Sequence, residues 1–175
     1  MTPQQLALAT GARIDRAQTF QPIIDQAASD FEINTPERMA AFLAQVGHES
    51  GGLHWLTELW GPTETQRRYE GRADLGNTQP GDGARFKGRG LIQVTGRANY
   101  QKASDALATD FIGTPELLAD PENAVRSAMW FWQSHGLNEQ ADVGNFERIT
   151  RIINGGLNGQ AERLALWAKA KEALA

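Results

Sequence analysis

Apolar residues recur at helical spacing through the first 50 positions. Thr2-Pro3 forms a helix start, with threonine at the N-cap and proline at N1, and Thr35-Pro36 repeats the pair more strongly. From Pro36, the residues Met39, Phe42, Leu43 and Val46 share one stripe, which predicts a helix with a single face in a core. Gly51-Gly52 then stops it. Residues 61–90 lose this periodicity. Pro62, Gly71, Gly76, Asn77, Pro80, Gly81, Gly83, Gly88 and Gly90 predict a long irregular loop or a short, poorly regular hairpin. Leu91 to Thr95 reads as a brief strand or as the run into a helix through Tyr100 and Ala106. Helical spacing returns from Pro121, with Ala124, Val125, Ala128, Met129 and Trp132, and ends near Gly136. Ile149, Ile152 and Ile153 predict a further helix stopped by Gly155-Gly156, and a last one runs from about Ala161 through Leu164, Leu166 and Trp167.

At 175 residues the chain has the size of one domain, and 41% hydrophobic with 22% charged residues is ordinary for a globular protein. No window approaches the roughly 18 apolar residues of a membrane span. Met1 to Thr10 lacks the basic start and apolar core of a secretory signal. With no cysteine there is neither a disulfide nor a thiolate metal site. The net charge of −4 is unevenly spread. Only residues 61–100 are basic, with seven Lys/Arg (Arg67, Arg68, Arg72, Arg85, Lys87, Arg89, Arg97) against four Asp/Glu. Such a segment either faces an anionic polymer or is a solvated loop with scattered charges.

Glu49 lies in the last turn before Gly51-Gly52. There the negative end of the helix dipole and the unpaired carbonyls disfavour a charged carboxylate, which suits a general acid. By position alone the blander alternative, a surface glutamate at a helix end, weighs more. Glu58 follows nine residues later, beyond the glycines, and is free to lie on another element. Two carboxylates in different environments are the minimum equipment for glycosidic cleavage. His48 and His54 do not have His-Glu-x-x-His spacing, so no metal site is expected. Ser50 is not in a Gly-x-Ser-x-Gly elbow, and Gly88-Arg89-Gly90 lacks the Gly-Lys-Ser/Thr of a phosphate loop. Of the five tryptophans, Trp130 and Trp132 point to different sides of one helix, and Trp55 and Trp60 flank the glutamates as candidates for sugar stacking.

Three blocks carry a family resemblance. His48-Glu49-Ser50-Gly51-Gly52, then Gly88-Arg89-Gly90-Leu91-Ile92-Gln93-Val94-Thr95 with Asn99-Tyr100, then Ile153-Asn154-Gly155-Gly156 with Arg163 downstream stand in order over roughly residues 36–170. Together they resemble the signatures of family 19 glycoside hydrolases, the class I-type chitinases and their phage endolysin relatives. The resemblance implies a mainly α fold: a lysozyme-like helical domain spanning 1–175, with a long irregular loop or small hairpin lobe bordering an active-site cleft. It also implies an inverting enzyme with Glu49 as acid and Glu58 as base, Glu70 being the lower-ranked rival, and an α-anomeric first product. Thr95 would help Glu58 hold the attacking water. Gln93 and Asn99 would bind sugar hydroxyl or acetamido groups, and Asn154 and Arg163 would brace the carboxylates. His48, Trp60, Tyr69 and Glu70 complete the expected substrate contacts. The departure is Leu91, where the chitinase pattern commonly has proline; it leaves the chemistry intact and bears on the choice of polymer.

Chitin and peptidoglycan share a β-1,4-linked N-acetylhexosamine backbone. The missing signal, the missing cysteines and the absence of an appended carbohydrate-binding module point to peptidoglycan, as does the basic segment. The expectation is therefore a monomeric endolysin, made in the host cytoplasm and acting on the wall after release through a holin. No cofactor, metal, nucleic acid or stable membrane insertion is expected. The alternatives are a chitinase, a lytic transglycosylase using a single glutamate, and a non-catalytic wall-binding module.

Overall fold

Both threonine–proline pairs start helices, as their chemistry requires. In the computed structural model, which describes all residues from Met1 to Ala175, Thr2 caps α1 (Pro3–Thr10) through a reciprocal bond pair with Gln5. After α2 (Ile14–Ala27), the Thr35 side chain accepts from Arg38 N at the start of α3 (Pro36–Glu49). The remaining helices are α4 (Glu64–Arg67), α5 (Asp82–Arg85), α6 (Arg97–Leu107), α7 (Pro121–Ser134), α8 (Leu137–Asp142), α9 (Phe146–Asn154) and α10 (Gln160–Leu174). Single 3-10 turns lie at Ala73–Leu75 and Pro115–Ala119. The fold is mainly α, as the periodicity predicts. No helix is long and apolar enough to cross a membrane. The chain packs as two units, Met1–Trp55 with Ala128–Ala175, and Leu56–Ser127.

In the first unit α3 is the central element, packed by α1, α8 and α10. The single buried stripe expected for it is too narrow: every residue from Ala40 to Gly47 is buried. The cause is composition. Ala40, Ala41, Ala44 and Gly47 are small, so neighbouring helices close on several sides at once. Gly47 shows how closely, because a β-carbon there would lie 2.6 Å from the Thr10 carbonyl oxygen of α1. Trp132 is fully buried, edge-on to Phe42 at 5.5 Å, and its Nε1 donates to Asn138 Oδ1 at 2.9 Å. Trp130 is only half-buried, so the two tryptophans divide as their spacing predicts. The short helix α8 was not visible in the periodicity; it begins directly after Gly136, which turns the chain at φ +67°.

In the second unit no strand forms. Two isolated antiparallel bridges, Thr57 with Arg89 and Arg89 with Val94, replace the hairpin alternative. Leu91 to Thr95 is a turn that delivers the chain to α6, and Leu91 is fully buried with its amide 3.5 Å from the Ala124 carbonyl. A proline at this position would have no such donor. The core gathers Phe86, Leu91, Tyr100, Phe111 and Leu118.

Three of the seven cations of the basic segment pair with carboxylates of the same segment. Arg68 pairs with Glu64, Arg72 with Asp74, and Arg97 with the buried Asp82 at 2.6 Å. Arg85 donates to the carbonyls of Ile112 and Gly113, while buried Arg89 donates to Arg85 O and to the Tyr100 hydroxyl. Burial pushes the Tyr100 phenol up to about 12, despite the nearby Arg89 charge. Of the seven cations, Arg67 and Lys87 keep no such partner. A broad anion-binding face is thus not what most of these residues form.

Candidate functional site

Glu49 closes α3, and the turn beyond it is fixed by its own motif. The buried Ser50 hydroxyl donates to Val46 O and accepts from Leu53 N, while Gly51 and Gly52 adopt φ of +59° and +69°. The Glu49 carboxylate is half-buried and accepts from Arg163 Nη2 at 2.5 Å. Arg163, on α10, is itself 1% exposed. Its other nitrogens are also committed: Nη1 to Gln45 Oε1 at 2.5 Å and Nε to the Asn158 carbonyl at 3.0 Å. Gln45 is held in turn, its Nε2 donating to Thr150 Oγ1 at 2.9 Å, and Thr150 donates to Phe146 O. A buried chain of polar groups from α9 through α3 to α10 therefore sets the guanidinium against Glu49. The guanidinium thus lies against a carboxylate that stands at a helix C-terminus.

Asn154 makes no hydrogen bond to Glu49. Its Oδ1 accepts from Asn158 N at 3.3 Å, shaping the turn whose carbonyl orients Arg163. His48 packs its ring against Gly159, a position with no room for a side chain. Its Nδ1 lies 3.1 Å from Glu162 Oε2, within ion-pair reach but outside hydrogen-bond geometry. Trp55 is 46% exposed beside His54.

Glu58 belongs to the second unit and is non-helical, so it does lie on a different element. Its backbone N–H donates to Gly88 O at 2.8 Å, and Gly88 N returns a bond to Oε2 at 2.9 Å. The other carboxylate oxygen, Oε1, accepts from Gln66 Nε2 at 2.9 Å and from the Tyr69 hydroxyl at 3.3 Å. All three groups donate, the pattern a carboxylate accepts. The Tyr69 phenol is pushed up by burial first and by the Glu58 charge second, so it stays protonated and able to donate. Trp60 lies beside Tyr69, ring centroids 6.2 Å apart, with the Lys87 ammonium 5.8 Å from the Trp60 ring.

Glu70 is engaged differently. Both its oxygens accept backbone amides, Gly81 N at 2.7 Å and Gly83 N at 2.8 Å, so it ties the entry of α5. The Thr95 hydroxyl donates to the Gln93 carbonyl at 2.9 Å, the Gln93 amide to Gly90 O at 3.0 Å, and Asn99 Nδ2 to Thr95 O at 2.8 Å. These three hold the turn that follows Gly88. Gln93 is itself at φ +57°, a strained conformation for a residue with a side chain. No cluster of three or more His, Asp or Glu side chains is arranged to hold a metal ion. Sequence reasoning missed Gln45, Thr150 and Gln66. Gln45 was findable, because it precedes Glu49 by four residues and shares its helix face.

The profile of the family described as chitinase class I matches residues 8–143. A Haemophilus influenzae glycosyl hydrolase family 19 domain-containing protein is 34% identical over 157 residues, covering 74% of this chain and 76% of that protein. Endochitinase 1 of Theobroma cacao is 34% identical over 148 residues, 68% of this chain but 46% of the plant protein. The chain thus spans about half the length of that plant enzyme. Among solved structures, a bacterial family 19 chitinase superposes with a TM-score of 0.76 at 26% identity, over 98% of this chain and 93% of its own.

Proposed function

The chain belongs to the class I chitinase family, glycoside hydrolase family 19, and from that premise we propose that it hydrolyses the β-1,4 bonds of bacterial peptidoglycan, with Glu49 giving the proton and Glu58 activating water. An inverting cleavage needs a protonated carboxyl at the leaving oxygen and a carboxylate base for water on the opposite face of the ring. The observation that carries the assignment is how differently the glutamates are held. Glu49 faces one buried arginine at a helix end, whereas Glu58 is fixed by three donors from a loop. Glu70 is the second candidate for the base; its oxygens accept only the backbone amides of Gly81 and Gly83, at the entry of α5.

For the polymer, the support is the likeness to a bacterial relative over three-quarters of both chains and Lys87, a cation without a carboxylate partner in the unit of Glu58. In this reading the protein is an endolysin that reaches the wall from the cytoplasm. Chitin is the second reading, favoured by the named chitinases among its relatives.

The test uses Glu49→Gln, Glu58→Gln and the parent protein on permeabilised Gram-negative cells and on soluble chitin. We expect the parent to clear the cells, and each variant to lose at least about 100-fold in turnover. Turnover of soluble chitin without clearing selects the second reading. Normal turnover by Glu58→Gln, with 1,6-anhydro ends on the muropeptides, selects transglycosylation instead.

A further inference from the structure

We propose that Gln66 is the positioning residue of the base, and that α4 exists to hold it. This rests on Glu58 being that base. Thr63-Glu64-Thr65-Gln66 is a capping box: Thr63 Oγ1 accepts from Gln66 N, and Gln66 Oε1 reaches back to Thr63 N at 2.8 Å. In an ordinary capping box the rest of the glutamine amide is left to solvent. Here Gln66 is 5% exposed and its amide makes all four of its bonds. Oε1 accepts from Thr63 N and Gly61 N, and Nε2 donates to Leu59 O at 2.7 Å and to Glu58 Oε1 at 2.9 Å. The four bonds give the amide one orientation. A flip would set carbonyl oxygen against carbonyl and carboxylate oxygens, and NH₂ against two backbone N–H groups.

The segment from Glu58 to Thr63 is thus gathered around a single side chain, and that side chain presents an N–H to the base. Tyr69, on the turn just after α4, adds a second donor to the same oxygen. Both donors vanish as a unit if α4 does not form. A four-residue helix has little stability of its own. The cap is therefore what couples backbone order in 61–67 to the orientation of Glu58.

The chemistry of glutamine is essential to this role. Glutamate fits the same cap and can still accept from Gly61 and Thr63. Its second oxygen would face Glu58 Oε1 at the distance where Nε2 now donates. Two carboxyl groups so close share a proton, which raises the pH at which the base becomes available. A purely structural glutamine would lose stability on substitution without moving that limb.

The decisive experiment is the pH profile of kcat/KM for Gln66→Glu, with Tyr69→Phe as the variant that leaves the cap intact and thermal unfolding as the control for folding. For Gln66→Glu we expect the acid limb to move up by about one pH unit or more, with activity partly regained at alkaline pH. For Tyr69→Phe we expect kcat to fall several-fold, with KM and melting temperature close to the parent. An unshifted acid limb in a folded Gln66→Glu protein overturns the proposal. So does a Tyr69→Phe change confined to KM, which would make that hydroxyl a substrate contact. If Glu58→Gln is inactive while neither expected change appears in the Gln66 and Tyr69 variants, the base assignment stands and only the role of Gln66 falls. If Glu58→Gln turns over normally, both fall together.

Discussion

Arg163 is committed in three directions at once, to Glu49, Gln45 and the Asn158 carbonyl, from a fully buried position. Only a planar guanidinium can serve three such acceptors in fixed geometry; a lysine ammonium on a flexible stem reaches at most one or two. Arg163→Lys is therefore expected to lower turnover by at least about 10-fold and to lower the melting temperature. Arg163→Ala should cost about 3–5 kcal/mol, because it leaves buried acceptors and a carboxylate unpaired. Thermal unfolding beside the rate of clearing of permeabilised Gram-negative cells checks both; a Lys variant matching the parent in both would contradict the assignment. At this scale the sequence was informative about residue type and silent about partners. Glu49, Glu58 and Arg163 stood out from motif and spacing. That Gln45 joins Arg163 to Thr150, or that Glu70 spends its oxygens on Gly81 and Gly83, depends on side chains far apart in the chain.

The helices were readable where caps and periodicity agreed, as at Thr2-Pro3, Thr35-Pro36, Pro121 and Gly155. They were unreadable where an element is short. The α4 cap was written in the chain as Thr63-x-x-Gln66, but four residues are too few to show a period. Burial was misread for α3, since a count of large apolar residues misses a face made of alanine and glycine. That face has a measurable consequence. Gly47→Ala adds a β-carbon within contact of α1, at 2.6 Å from Thr10 O, where the neighbour is backbone and must shift as a whole. Alanine is the better helix former, so propensity alone predicts a gain of up to about 1 kcal/mol. Overpacking should outweigh it, giving a net loss of about 1–3 kcal/mol. Urea unfolding decides between them, and any stabilisation would show that α1 and α3 have room to separate.

For the whole molecule, pH sets two edges of stability. At the acid side, Arg97 beside Asp82 and Arg38 beside Asp142 hold these carboxyls below the ordinary value of 3.8 through their hydrogen bonds. A depressed carboxylate contributes stability above its unfolded pKa and loses it as pH falls through the folded one, so stability should drop below about pH 4. At the alkaline side the Tyr100 phenol, raised by burial to about 12, contributes below about pH 10 and loses that contribution as pH rises toward 12. Urea midpoints measured across pH should therefore form a plateau bounded near pH 4 and pH 10. Asp82→Asn should soften the acid edge, and Tyr100→Phe the alkaline one; a plateau unchanged by either variant would refute the attribution. The order of the three motif blocks, the helical period and the cap chemistry are local properties, so the chain alone determined the fold class, the family likeness and the identity of the candidate glutamates. Part of the charge of residues 61–100 is engaged within the segment, Arg68 with Glu64, Arg72 with Asp74 and Arg97 with Asp82. Only the tertiary structure decided that, and likewise which donor faces which carboxylate oxygen, because a hydrogen bond depends on position in space and the residues that make these bonds are separated by up to 114 places in the chain.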